Sequence, residues 1–139
     1  MSINIVKGML MIFELKSPLL GFENITHMEL NKIDDVFARL QVVGADEPSF
    51  TLINPFVLRE YSFDIPDPTK ELLGIDENSN FLIFNMLIIS TPLEDSRINF
   101  VGPLIFNTDN QSMQQLILAD NSPYGVAEKL SDFLHKDQQ

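Results

Sequence analysis

Two histidines, a few adjacent carboxylate pairs and a scatter of serines are the groups on which catalysis or metal binding would have to rest in this chain. His27 and His135 lie far apart, and neither sits in an H-x-x-x-H or H-E-x-x-H spacing that would place two ligands on one helix face. Asp34-Asp35, Asp76-Glu77 and Glu94-Asp95 could offer oxygens to calcium. None of them belongs to a loop of alternating oxygen ligands closed by a glutamate. With 20 acidic residues such pairs arise by composition alone. There is no cysteine, so a thiolate nucleophile, a disulfide and Cys-ligated zinc are excluded. No G-x-S-x-G turn presents a serine, and no glycine-rich loop could cradle a phosphate. Asn24-Ile-Thr26 and Asn110-Gln-Ser112 match a glycosylation sequon by chance, since no secretory signal accompanies them. The reading is of a protein with no catalytic residue, no metal and no cofactor, acting through its surface.

That surface is acidic. Nine basic against 20 acidic residues leave a formal net charge of −11. A field of that sign repels polyanions, which excludes direct nucleic-acid binding and docking on anionic lipid. It speeds encounter with basic proteins, and it also keeps a protein in solution. The longest apolar run, Phe81 to Ile89, is interrupted by Asn85 and falls short of the about 20 residues a spanning helix needs. Met9 to Phe13 is too short for a secretory h-region, and Glu14 and Lys16 follow it directly. These features predict a soluble, cytoplasmic protein with no membrane association.

The elements that must carry this surface are strands. Prolines and glycines recur at short intervals from Gly8 to Pro103, leaving little room for long helices. Strands are predicted at 9–15 and 25–30. At 36–43, Val36, Ala38, Leu40 and Val42 alternate with Phe37, Arg39, Gln41 and Val43, the period of a half-buried strand. Residues 50–54 return from the polar turn 44–48 to complete a hairpin. Tyr61, Phe63 and Ile65 alternate briefly until Pro66 and Pro68 stop the pattern. Residues 69–73 read as one or two helical turns capped by Gly74. Residues 81–90 read as a strand covered on both faces, and 98–107 and 114–118 as two more. Ser122-Pro123 followed by Val126, Leu130, Phe133 and Leu134 at helical spacing predicts an amphipathic helix over about 123–135. The sum is one domain over 1–139: a mostly β, small antiparallel barrel-like body over about 1–120, with a short C-terminal amphipathic helix.

Several segments taken together resemble the FliW family of flagellar assembly factors. They are Gly21-Phe22, Phe50-Thr-Leu-Ile-Asn-Pro-Phe56 with Tyr61-Ser-Phe63 behind it, and Leu72-Leu-Gly-Ile75. The strongest is Asn99-Phe-Val-Gly-Pro103-Leu-Ile-Phe-Asn107, followed by Gln115-Leu-Ile-Leu118 and Pro123-Tyr124. The chain departs from the family where Asn54-Pro55 stands in place of Asp-Pro. The resemblance implies a bacterial, non-enzymatic protein with two alternative partners. One is flagellin, held in the cytoplasm. The other is CsrA, a translational regulator whose repression of flagellin synthesis the free protein relieves.

Seven residues are candidate partner contacts: Asn54, Tyr61, Glu94, Asp95, Asn99, Pro103 and Asn107. Tyr61 needs a partner for its hydroxyl. Glu94 and Asp95 could steer a basic partner. Asn99, Pro103 and Asn107 are not ordinary core residues, and Pro103 inside an apolar run marks an edge strand or a bulge. An edge there could accept a partner's backbone. From a different class, the 11 phenylalanines and 6 methionines would also suit a small barrel that carries an apolar ligand.

Overall fold

The computed structural model describes residues 10–19 and 21–134, so Met9 and His135 of the expected elements lie outside the described residues. In chain order the strands are β1 (Leu10–Leu15), β2 (His27–Lys32), β3 (Phe37–Val42) and β4 (Ser49–Ile53). Helix α1 (Asp67–Leu73) follows, then β5 (Phe81–Ile88), β6 (Arg97–Ile98), β7 (Leu104–Asn107), β8 (Ser112–Gln115), β9 (Glu128–Lys129) and α2 (Ser131–Leu134). Short 3-10 turns occupy Pro55–Val57 and Leu93–Asp95. The sheet order β4-β3-β2-β1-β8-β7-β5 closes on itself because β4 also pairs with β5, giving a ring of seven strands. The barrel is therefore as expected, with one exception to its antiparallel character. β1 and β8 run parallel, with Glu14 opposite Ser112 and Leu15 opposite Met113.

Period-two patterning explains which faces turn inward. Phe13 on β1, Met28 and Leu30 on β2, Ala38 and Leu40 on β3, and Leu52 on β4 are all fully buried. Leu104 and Phe106 on β7 and Met113 on β8 join them in the lumen. Phe13 and Phe84 both set their rings edge-on to Phe106, at 5.1 and 6.0 Å between centroids. The lumen is filled by these side chains, as befits a barrel of this strand number.

Two further clusters lie outside the ring, and they explain why β5 is apolar on both faces. Leu82, Phe84 and Met86 pack with the lumen, while Leu87 joins Ile53, Tyr61, Ile98, Phe100, Leu130 and Phe133 on one outer flank. On a second flank, Leu73 and Ile75 of the α1 region cover Ile105 and Leu116. α1 ends as its sequence predicts, on Gly74 in the left-handed region at φ +68°. The Leu73 carbonyl left open at that end accepts from Asn107 Nδ2 and Asn110 Nδ2, both at 2.8 Å.

Three expectations change. The 98–107 strand is broken. β5 advances three residues from Phe84 to Leu87 while its partner retreats six, from Leu104 to Ile98. β6 and β7 thus share one edge of β5, and 99–103 bulge out between them. Tyr61, Phe63 and Ile65 lie on an extended strap that joins no ladder. The 123–135 helix shrinks to Ser131–Leu134. Val126 faces solvent, and Glu128 and Lys129 pair with β6 instead. Gly125 O accepts from Phe100 N, and Leu130 N donates to Ser96 O. Pairing to the sheet edge satisfies more backbone than a helix of one or two turns could, so tertiary context overrides the local periodicity.

Candidate interaction surface

The strap after β4 and the C-terminal segment meet over the outer cluster, and one cation holds them together. Arg59 places its guanidinium 5.0, 4.9 and 5.2 Å from the ring centroids of Phe100, Tyr124 and Phe133. Its Nη1 lies 3.0 Å from Glu128 Oε1. The other oxygen of Glu128 accepts from Gly125 N at 2.6 Å. A guanidinium stacked on several aromatic faces and paired with a partly buried carboxylate is a strong tie, because both attractions gain where water is displaced. Tyr124 adds a second tie. Its hydroxyl accepts from Ser62 N and donates to Ser62 O, at 3.0 and 3.1 Å.

Tyr61 lies directly beneath this clasp. Its ring touches those of Phe56, Phe63, Phe100 and Tyr124, the last at 4.7 Å between centroids. Its hydroxyl donates to the Phe100 carbonyl and accepts from Asn85 Nδ2 at 3.1 Å. Asn85 Nδ2 also donates to Asn99 O at 2.9 Å. Burial is the largest influence on this phenol and pushes its pKa up to about 12. The polar interruption in the most apolar strand is thereby explained: Asn85 supplies the donors that hold the bulge against the sheet.

The structure brings two of the seven candidate residues into that network, Tyr61 and Asn99. Asn99 shapes the bulge, its Oδ1 accepting from Val101 N and Gly102 N at 3.0 Å each. Gly102 is closely approached by two amide side chains, since an added Cβ would stand 2.7 Å from Gln115 Nε2 and 2.8 Å from Asn99 Nδ2 and would have to displace them. Glu94 and Asp95 are exposed on the second 3-10 turn, which packs against α2. Asp95 Oδ1 is 3.9 Å from Lys129 Nζ. Asn54 stands apart at the opposite barrel end. It caps the first 3-10 turn through Phe56 N and lines a cleft with Leu30, Lys32, Asp35 and Val57.

Pro103 and Asn107 are buried. Asn107 is 1% exposed and its amide is committed to Leu73 O. Pro103 is buried, and its carbonyl accepts from Leu116 N while Val101 O accepts from Leu118 N. The edge read as open to a partner's backbone is therefore closed by this chain's own residues 116–118.

Sequence reasoning passed over Arg59 and Glu128. A signal existed for Arg59: it is the only cation between Arg39 and Lys70, and it sits among Phe56, Tyr61 and Phe63. Glu128 had none, because its ionic partner lies 69 residues away. Also unforeseen is an exposed apolar group, Ile88, Ile89 and Leu93, at the end of β5. Among the described residues no cluster of three or more His, Asp or Glu could hold a metal ion.

A family model described as FliW protein matches residues 5–130. The flagellar assembly factor FliW of Sulfurimonas denitrificans is 56% identical over 126 residues, covering 91% of this chain and 100% of that protein. Flagellar assembly factor FliW 2 of Wolinella succinogenes is 53% identical over 129 residues, covering 91% and 95%. The Campylobacter lari flagellar assembly factor FliW is 42% identical over 128 residues, covering 89% and 97%. A solved structure described as the crystal structure of the flagellar assembly factor FliW superposes with a TM-score of 0.79 at 27% identity, covering 86% of this chain and 84% of that one.

Proposed function

The chain belongs to the FliW family of flagellar assembly factors, and on that premise we propose that it is a non-enzymatic cytoplasmic protein with two alternative protein partners. It holds flagellin before export. When free of flagellin it holds CsrA and relieves the repression of flagellin synthesis. The match to the family along residues 5–130 carries this reading.

The physical chemistry supports it. A charge of −11 on a body this small raises the encounter rate with a basic regulator. Once docked, it lowers the potential beside the regulator's RNA site, and RNA phosphates bind there less well. Two partners that exclude each other need no bistable element in the barrel, because mass action links them. As flagellin leaves, the free protein rises and CsrA is titrated. The alternative of an apolar-ligand carrier is disfavoured by the lumen, whose space is taken by fully buried side chains such as Phe13, Phe106, Met28 and Leu40. No described helix is long and apolar enough to cross a membrane.

The test is a titration with purified components. The chain should bind flagellin and CsrA separately, flagellin should displace CsrA, and CsrA held by the chain should release its transcript. Absence of binding to both at micromolar concentration, or undiminished transcript binding by the captured regulator, refutes the proposal.

A further inference from the structure

Deepening the reading that this chain works by holding other proteins, we infer that the barrel end formed by the close of β5 and the start of β4 docks a basic amphipathic helix. β1, β3 and β5 end at this pole, and β2 and β4 begin there. The segment after β1 folds across it, with Phe22 N donating to Leu19 O and the Phe22 ring edge-on to Phe50 at 5.5 Å. Leu87 is the Cα partner of Thr51, so one step further along the ladder Ile88 stands beside Phe50. Ile88 is 68% and Ile89 57% exposed, and Phe22, Val43 and Leu93 are exposed with them. Several large apolar side chains uncovered on one pole mark a contact surface more than scattered single exposures do.

Charge at this pole selects the partner. Exposed Glu23, Asp46 and Glu47 lie on the two loops beside the patch, and Glu94 and Asp95 lie just past Leu93. The cations at the same end are turned to the chain's own acceptors: Lys16 to Glu14 at 3.0 Å, Lys129 to Asp95 at 3.9 Å, and Arg97 to Ala127 O at 3.2 Å. An apolar floor with a carboxylate rim complements a segment that carries an apolar stripe between rows of Lys or Arg. Geometry selects a helix over a strand. At this pole β5 is paired with β4 and β6, and β1 with β2 and β8, so these strands offer a partner side chains and not a free ladder edge, while the end strand of the sheet, β9, is only two residues long and too short to template a strand.

The probe is an 18-residue helical peptide of Leu and Lys with one apolar face, set against a counterpart in which Glu replaces Lys. Labelled peptide is titrated with the full chain. Binding of the Lys peptide and not the Glu peptide is expected. The Ile88→Ser/Ile89→Ser double variant is expected to bind it about tenfold less tightly with unchanged melting, because both side chains are exposed. Leu72→Ser, on the exposed face of α1, should leave affinity as it is. Glu94→Gln with Asp95→Asn should weaken binding at low salt only. Equal binding of both peptides, unchanged affinity in the double variant, or an equal loss in Leu72→Ser overturns the inference. Flagellin and CsrA are run in parallel. If the native chain captures them and Ile88→Ser/Ile89→Ser captures them equally well, the docking surface is wrong and the proposed function stands. If the native chain captures neither, the proposed function fails, whatever the peptide does.

Discussion

Replacing Tyr61 by Phe should change both the stability of the barrel and its response to alkali. The ring contacts with Phe63, Phe100 and Tyr124 survive the substitution, and only the oxygen is removed. The Phe100 carbonyl then loses its donor inside the fold, while Asn85 Nδ2 retains Asn99 O. A buried acceptor left open costs about 1–3 kcal/mol, which is the expected loss at pH 8. The pH dependence follows from the phenol's pKa, raised from 10.0 to about 12 by burial. Below pH 10 folded and unfolded chains both keep the proton, and the hydroxyl's contribution is complete. Between pH 10 and 12 the unfolded chain releases the proton while the folded one holds it, so stability falls as pH rises. Two units at about 1.4 kcal/mol each make that fall roughly 3 kcal/mol. Tyr61→Phe lacks this dependence, so the gap between native and variant should shrink as pH rises past about 10. Urea midpoints measured in parallel at half-unit steps read the gap directly, and other titrating groups cancel in the difference. A gap that stays constant from pH 9 to 11.5 refutes the burial of this hydroxyl and with it the account of the bulge.

Three other outcomes follow from the same geometry. Phe133→Ala removes a ring that is edge-on to Phe100 at 5.4 Å and lies under Arg59, and should cost about 3 kcal/mol in thermal or urea unfolding. Unchanged melting with weaker partner binding would instead assign that ring to the interface. Gly74→Ala forces a Cβ into the left-handed region and to 3.0 Å from Asn110 Nδ2, so it should lose about 1 kcal/mol or more of stability. Reversing Glu94 and Asp95 to Lys should slow association with CsrA at low salt and flatten its salt dependence, read by stopped-flow; an unchanged on-rate removes these two residues from the steering field.

The lumen was legible in the sequence because a half-buried strand writes its burial into a period of two, as β3 does with Ala38 and Leu40. Gly74 was legible because the end of α1 demands a left-handed residue. What escaped was governed by distant pairing. Val126, Leu130 and Phe133 fit a helix on a wheel, yet the partners that decide their fate are Ser96, Arg97 and Phe100, about 30 residues earlier. Asn107 and Pro103 looked exposed because polar and proline residues usually are, whereas one caps a helix and the other sits inside a bulge. Glu94 and Asp95 could be placed at the surface by composition, but their neighbourhood of Ile88, Ile89 and Leu93 could not, since these apolar residues read as the end of a buried strand.

The proposed antagonism also sets a condition on where the regulator sits. At physiological ionic strength a charge is screened over about 8 Å, so the −11 of this chain does not act as one distant field. Only carboxylates within about that distance of the regulator's RNA site can oppose phosphate binding. A helix docked on the pole beside Ile88 would bring its host protein against Glu23, Asp46, Glu47, Glu94 and Asp95, the carboxylates nearest the apolar floor. Affinity and repulsion then come from one surface but from different atoms: the apolar side chains set how long the partner stays, and the rim sets what its neighbouring site can still attract. Removing the apolar floor should therefore weaken capture and antagonism together. Neutralising the rim should spare much of the capture while restoring the transcript to the captured regulator.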